Sequence, residues 1–425
     1  MNYINKTEQE LKSELSELKE KYEELRALNL SYDMTRGKPA SAQLDLSSEM
    51  LDKKYLGNLK TAKNMDCRNY GILDGIPEAK ELMASIIGTN PENVIVCGNS
   101  SLNIMYDTLM KFMVFGVSKS ATPWCKADKI KFLCPVPGYD RHFKITEQLG
   151  IEMINVPLTE NGPDMALVKE LVKDPAVKGM WSVPKYSNPT GTVYSDEVIK
   201  ELASMDCAAD DFRIFWDDAY TVHYLYDAPA KQLSIIEACA EAGNPDRAVV
   251  FTSTSKITFS GSGLSAVASS VANIEYFKWH MNVQTIGHDK INQLRHVNFL
   301  KDYDGVIAHM KKHADIIRPK FEVVLETLES ELSGLGILTW SNPKGGYFIS
   351  IDTLPGCADK VVAMAKDCGV VFTPAGATFP YGKDPENKNI RIAPTLPVIE
   401  DLKEAVKILC ICVKICSINK ILEER

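Results

Sequence analysis

A lysine carries the strongest chemical signal in this chain. Lys256 lies in Ser253-Thr254-Ser255-Lys256-Ile257-Thr258-Phe259-Ser260-Gly261-Ser262-Gly263, just after the β-like Ala248-Val249-Val250-Phe251. Hydroxyls and small residues around it suit an amine that stays neutral and reachable, the state that forms a Schiff base with an aldehyde. Most lysines are solvated surface charges, so the residue gains weight only from what precedes it. Upstream come Asn188-Pro189-Thr190-Gly191 and then Asp217-Asp218-Ala219-Tyr220. An aldehyde cofactor that acts as an electron sink, commonly pyridoxal phosphate, needs a definite set of partners. These are an acid for the ring nitrogen, donors to the phenolate oxygen, a stacking aromatic and a phosphate cradle. Asp217 can be the acid, Asn188 and Tyr220 the donors, and Tyr139 of Pro137-Gly138-Tyr139 the stacking ring. Asn99, Ser100 and Ser101 open a helix-like segment after an apolar run, which suits a phosphate at a helix N-terminus. Ser253 and Ser255 add hydroxyls. Singly, Asp217 reads as a helix cap, Asn188 as part of a turn and Tyr139 as core. Their order along the chain makes the signal.

The elements that hold these residues follow from apolar spacing. From about residue 78 to 270 helix-like and strand-like segments alternate. Val94–Cys97, Ile130–Cys134, Gly179–Val183, Arg213–Trp216 and Ala248–Phe251 are the strand candidates. Short apolar runs that end at Gly, Pro, Asn or Asp and are separated by helices imply an α/β domain with a mainly parallel sheet. Ligands of such sheets collect beyond the carboxyl ends of the strands, where every motif above sits. Residues 7–28 carry Leu11, Leu15, Leu18, Tyr22, Leu25 and Leu28 at helical spacing, a helix that packs on the body or on a partner subunit. Residues 301–330 read as a long helix. Beyond it, strands near 336–340, 347–351 and 390–393 alternate with helices over 357–368 and 398–418. The expected division is an arm over 1–65, a large domain over 66–300 and a small α+β domain over 301–425.

With these motifs in place, the chain resembles the fold-type I aminotransferases that use pyridoxal phosphate. It is most similar to a divergent aspartate aminotransferase subgroup, related to the aminotransferase-like halves of certain bacterial regulators. The likeness rests on Thr35-Arg36-Gly37-Lys38-Pro39, Asn69-Tyr70-Gly71-Ile72-Leu73-Asp74-Gly75, Pro137-Gly138-Tyr139 with His142, and Asn188-Pro189-Thr190-Gly191. It continues through Asp217 with Ala219-Tyr220, Lys256, Asn292-Gln293-Leu294-Arg295-His296 and Asn389-Ile390-Arg391, spanning roughly residues 30–418. The resemblance implies a large domain with a seven-stranded, mainly parallel sheet and a smaller α+β domain. It implies that Lys256 holds the cofactor and shuttles the substrate proton, and that Asp217 pairs with the ring nitrogen. His142, which its local sequence alone would put on the surface, would sit behind Asp217. Tyr70 would cross a homodimer interface to the partner's phosphate. Arg391 would clamp the substrate α-carboxylate beside Asn188 and Gly37. Arg36, Lys38 and Arg295 are the candidates for a distal carboxylate. One position departs: where common members carry a phosphate-binding arginine eight residues after the lysine, this chain has Leu264.

Other features bound the function. A net charge of −8 argues against broad nucleic-acid binding. No 18-residue apolar run suggests a membrane span. Eleven scattered cysteines fit a reducing cytoplasm better than a disulfide framework. His309 and His313 could pair on zinc but lack a third ligand, and exposed helix histidines are the expected reading. Cys410, Cys412 and Cys416 in an apolar helix read as core, so no metal is expected. The leading expectation is transfer of an amino group from aspartate to 2-oxoglutarate in two half-reactions. Its rivals are a transaminase of other amino acids, a β-lyase on the same cofactor, and an effector-binding regulator. The regulator fits poorly, since residues 1–30 are too short for the winged-helix domain such proteins carry.

Overall fold

The computed structural model describes residues 2–226 and 232–425. Its strands, in chain order, are β1 (Tyr32–Asp33), β2 (Val94–Cys97), β3 (Lys131–Val136), β4 (Glu152–Thr159), β5 (Gly162–Pro163), β6 (Val177–Ser182) and β7 (Arg213–Asp217). They continue with β8 (Ala248–Ser253), β9 (Ser265–Ala268), β10 (Leu338–Trp340), β11 (Ile349–Thr353), β12 (Val370–Val371) and β13 (Asn389–Ile392). The main sheet runs β2-β9-β8-β7-β6-β3-β4-β5. The pairs from β8 through to β4 are parallel, while β9 lies antiparallel between β2 and β8. Every residue of β2, β7, β8 and β9 is buried, as a sheet covered on both faces requires. The sheet therefore has eight strands rather than the expected seven. The extra one, β5, is a two-residue return that pairs with the end of β4.

Helices cover the sheet, and one face carries an aromatic layer. Phe132 packs against Trp181 and Phe215, and Phe215 stacks on Phe251 at 5.8 Å. Helix Tyr303–Leu332 presents Val306, Met310, Ile317, Phe321, Val324 and Leu328 to the core at helical spacing. Beyond it β10, β11 and β13 form an antiparallel sheet, against which Arg391 is set in register with Ser350. Helix Glu8–Ala27 starts at a capping box formed by Thr7 and Glu10. It buries Leu11, Leu15, Leu18 and Tyr22 and packs on helix Ile399–Glu423, so the N-terminal helix lies on the body of its own chain. Cys410, Cys412 and Cys416 are buried in that C-terminal helix, as expected of small apolar side chains.

The loop after β6 is fixed by one glycine. Gly191 has φ of +75°, and a Cβ there would meet Pro343 Cβ at 2.3 Å. Gly191→Ala combines left-handed strain with a clash against a ring that cannot move alone. It should destabilise the fold by about 2–4 kcal/mol. Melting curves of the two proteins in one buffer would measure the loss, and an unchanged Tm would mean the loop shifts freely.

Candidate active site

The strands β2, β3, β6, β7 and β8 end on the same edge of the sheet. The loops leaving them bring together residues far apart in sequence, as open α/β sheets do at their ligand sites. Asp217 is the last residue of β7 and is 3% exposed. Its Oδ2 lies 3.0 Å from His142 Nε2. A carboxylate only accepts, so Nε2 carries the hydrogen and donates it. Asp217 Oδ1 is buried and has no hydrogen-bond partner among the described residues. A bare carboxylate oxygen at that depth is costly, and a protonated ring nitrogen would satisfy it. The neighbouring Asp218 is not equivalent: burial pushes its carboxyl up to about 7, against the pull of Lys185.

His142 is 1% exposed rather than on the surface, as its local sequence suggested. Its ring lies flat on Trp181, with centroids 4.3 Å apart and planes 7° apart, and Tyr139 meets it edge-on at 4.9 Å. Trp181 is itself anchored, its Nε1 donating to Thr146 Oγ1 at 2.8 Å. Asp217 is thus held by a histidine packed between Trp181 and Tyr139.

Lys256 projects from the loop after β8 with its Nζ 4.6 Å from the Tyr220 ring centroid and 5.9 Å from that of Tyr347. Burial raises the Tyr220 hydroxyl well above its ordinary range, and it pushes Tyr139 up to about 12 against the pull of Lys256. Both phenols stay protonated donors near neutral pH. Burial, and next the Lys256 charge, bring His223 down to about 3, so this imidazole adds no positive charge beside the lysine.

His309 and His313 are buried, not the exposed pair expected from sequence. They lie on the core stripe of helix Tyr303–Leu332, which passes under the Lys256 loop. His309 Nε2 is 2.9 Å from the Ile257 carbonyl and 3.2 Å from His313 Nε2. Gln43 stands 3.3 Å from His313 Nδ1 and donates to the Tyr347 hydroxyl at 2.8 Å. These histidines brace the backbone next to the lysine.

The loops after β2 and β8 are laced together. Asn99 Oδ1 accepts from Gly263 N–H at 2.6 Å, and its Nδ2 donates to the Ser260 carbonyl at 3.0 Å. Ser253 donates to Ser255 at 3.1 Å, and Ser255 donates to the Asn99 carbonyl at 3.4 Å. Ser100 caps helix Ser101–Phe115 by accepting from Asn103 N–H. The Asn99 side chain is therefore occupied with the loop, as are the donated hydrogens of Ser253 and Ser255. Leu264 is buried, with its N–H on Thr254 Oγ1 at 2.9 Å.

Arg391 reaches the same edge from β13. Its Nη1 donates to Asn188 Oδ1 at 3.3 Å and to Asp140 Oδ1 at 3.0 Å, and Nη2 donates to Thr373 Oγ1 at 3.1 Å. Thr373 also donates to the Thr35 carbonyl at 2.7 Å, tying the Gly37 loop beside the arginine. A Cβ on Gly37 would meet Phe348 Cζ at 2.6 Å, so the loop lies tight against the ring over which Arg391 is placed. Arg36 and Lys38 are exposed and Arg295 half-buried, and among the described residues no side-chain hydrogen bond or ion pair fixes any of the three cationic groups. Tyr70 stands 82% exposed, and its side chain makes no hydrogen bond or ring contact among the described residues. Sequence reasoning passed over Asp140, Trp181, His223, Tyr347 and Thr373. Asp140, lying between Tyr139 and His142, and His223, three residues after Tyr220, stood close enough to a motif to be noticed.

The family model described as aspartate amino-transferase matches residues 6–425. The chain is 47% identical to an aspartate aminotransferase of Corynebacterium glutamicum, over 94% of this chain and 93% of that one. A crystal structure of an aspartate transaminase from the same organism superposes with a TM-score of 0.97 at 45% identity, covering 99% of both chains. An α-aminoadipate aminotransferase of Thermus thermophilus, solved with N-(5'-phosphopyridoxyl)-L-leucine, shares the fold at a TM-score of 0.74 and 20% identity, over 93% of this chain and 94% of that one. Length, fold and the arrangement at the sheet edge agree, and the chain is a member of the aspartate aminotransferase family of fold-type I transferases.

Proposed function

We propose that this protein transfers the amino group of aspartate to 2-oxoglutarate with pyridoxal phosphate as its cofactor. The observation that carries the reading is Asp217, with one oxygen fixed by His142 and the other buried and unpaired, in the site that also holds Lys256. Those residues fit the group: an acid for the ring nitrogen, an amine without a carboxylate partner, and two neutral phenols. Pyridoxal phosphate, when bound, supplies a ring that withdraws the electron pair left on the substrate Cα.

The chain supplies the rest. Asp217 Oδ1 holds a proton at the ring nitrogen, with His142 fixing the carboxylate. Lys256 Nζ, once neutral, takes the proton from the substrate Cα as general base and delivers it as general acid. Arg391, with Asn188, orients the α-carboxylate so that the Cα–H bond points at that amine. Tyr220 and Asn188 donate to the phenolate oxygen, and Tyr139 covers the ring. The laced loops at Gly98–Ser101 and Ser253–Ser255 offer the phosphate uncharged donors in place of an arginine. Arg36, Lys38 and Arg295 remain the cations for the distal carboxylate. A homodimer belongs to the same reading, with exposed Tyr70 reaching the partner's phosphate. So does a cytoplasmic setting, supported by eleven cysteines that are all free.

A spectrum of the cofactor-loaded protein tests the proposal. Aspartate should shift the cofactor band to the shorter wavelength of the amine form and release oxaloacetate, and 2-oxoglutarate should restore the band. Release of ammonia and pyruvate without an acceptor would establish a β-lyase instead. No spectral change with aspartate, alongside one with another amino acid, would overturn the donor assignment.

A further inference from the structure

We propose that Asp140 is a carboxylate latch on Arg391: it engages the guanidinium and competes with the substrate α-carboxylate. The inference rests on the reading of Arg391 as the carboxylate clamp. A bidentate carboxylate needs two N–H groups of one guanidinium edge. Arg391 Nη1 is divided between Asp140 Oδ1 at 3.0 Å and Asn188 Oδ1 at 3.3 Å, and Nη2 is engaged by Thr373 Oγ1 at 3.1 Å. Nε is buried and has no hydrogen-bond partner among the described residues, so the contacts seen all fall on Nη1 and Nη2. Asp140 therefore engages the Nη1 group that a carboxylate spanning Nη1 and Nη2 would need.

One of the two ion-pair partners is free to leave. The Arg391 side chain is 6% exposed and that of Asp140 30%. Asn188 is buried, and Thr373 is bound to the Thr35 carbonyl. Asp140 begins helix Asp140–Gln148 and can turn outward without unwinding it. The ion pair also offsets the charge of a nearly buried guanidinium, which would be costly at that depth if uncompensated. Two carboxylates cannot use one N–H group, so each substrate must displace Asp140 or bind beside a like charge. The cost falls on amino acid and oxo acid alike, because both carry the same carboxylate. Being paid in the ground state and the transition state together, it raises KM and leaves kcat nearly untouched.

The test uses the cofactor-loaded enzyme and maleate, a dicarboxylate that cannot react. Asp140→Asn should bind maleate about 3- to 30-fold more tightly, the span between exposed and buried ion pairs. KM for aspartate and for 2-oxoglutarate should fall by a similar factor, with kcat within about twofold. Asp140→Glu, which keeps the charge, should return binding toward the wild-type value, a rescue that a merely structural role would not give. If Asp140→Asn folds poorly, Asp140→Ser removes the charge while keeping a residue that suits a helix start, and the same shifts are expected. Unchanged or weaker maleate binding in a folded, charge-free variant overturns the latch. Arg391→Gln separates the two claims: it should abolish maleate binding, and retention there would overturn the clamp reading itself.

Discussion

Lys256→Ala is expected to lower the rate of aspartate transamination by at least about 10⁴-fold, the upper end of what one positioned acid–base group supplies. The amine is asked to do two things, hold the cofactor and move the Cα proton, and no neighbour can replace it. Tyr220 and Tyr347, whose rings lie 4.6 and 5.9 Å from Nζ, are phenols that burial holds protonated. His223 is neutral but lies buried behind them, its ring 5.6 Å from both phenol rings. Lys256→Arg should be as inactive, since a guanidinium does not give up its proton near neutral pH. Neither change should cost much stability, because the lysine makes no ion pair whose loss would leave a buried charge behind. Steady-state rates with oxaloacetate detection, together with a melt, check this. Borohydride treatment of the loaded wild type should fix pyridoxyl on residue 256 and on no other lysine. A Lys256→Ala protein with more than about a tenth of the wild-type rate would remove the amine from the chemistry.

Much of the architecture was legible because it depends on local patterning. The strands that end at Cys97, Ser182, Asp217 and Ser253 are runs of buried apolar residues closed by turn formers, and they read directly. β9 did not, since Ser265-Ala266-Val267-Ala268 is short and made of small residues. β5 is two residues long and exists only because β4 offers it an edge. At the candidate site, order along the chain pointed to Asn188, Asp217, Tyr220 and Lys256, whereas depth was hidden. His142 is buried by Trp181 and by a carboxylate 75 positions away, contacts with no trace in its own segment. His309 and His313 were legible in one respect only. They fall on the apolar stripe of their helix with Val306, Met310 and Ile317, and that spacing outweighs the polarity of the ring. Asp140 escaped notice because a first-turn acid is an ordinary helix start, and its partner is 251 positions away.

Asp217→Asn should lower kcat by about 10²- to 10⁴-fold, the range for a group that stabilises developing charge through a fixed proton. The amide has the same shape, so the lesion is one of charge. In the proposed reading a carboxylate would keep a proton on the cofactor's ring nitrogen, whereas an amide is a weak acceptor and would present N–H to His142 or to the ring. Because the Cα electron pair is accommodated only while the ring stays electron-poor, the loss appears in kcat and not chiefly in KM. Asp217→Ala should be at least as slow and also less stable, by about 1–3 kcal/mol, since it leaves the buried His142 Nε2–H without an acceptor. Asp217→Glu keeps the charge but pushes it toward the ring, and should fall between wild type and Asn. His142→Ala should be milder, about tenfold, because the carboxylate remains and only its orientation is lost. The ranking is the discriminating result. If charge at the ring nitrogen is what matters, activity follows wild type, His142→Ala or Asp217→Glu, then Asp217→Asn and Asp217→Ala. If packing against Trp181 is what matters, His142→Ala, which removes that ring, would be the slowest of the set and Asp217→Asn would resemble wild type.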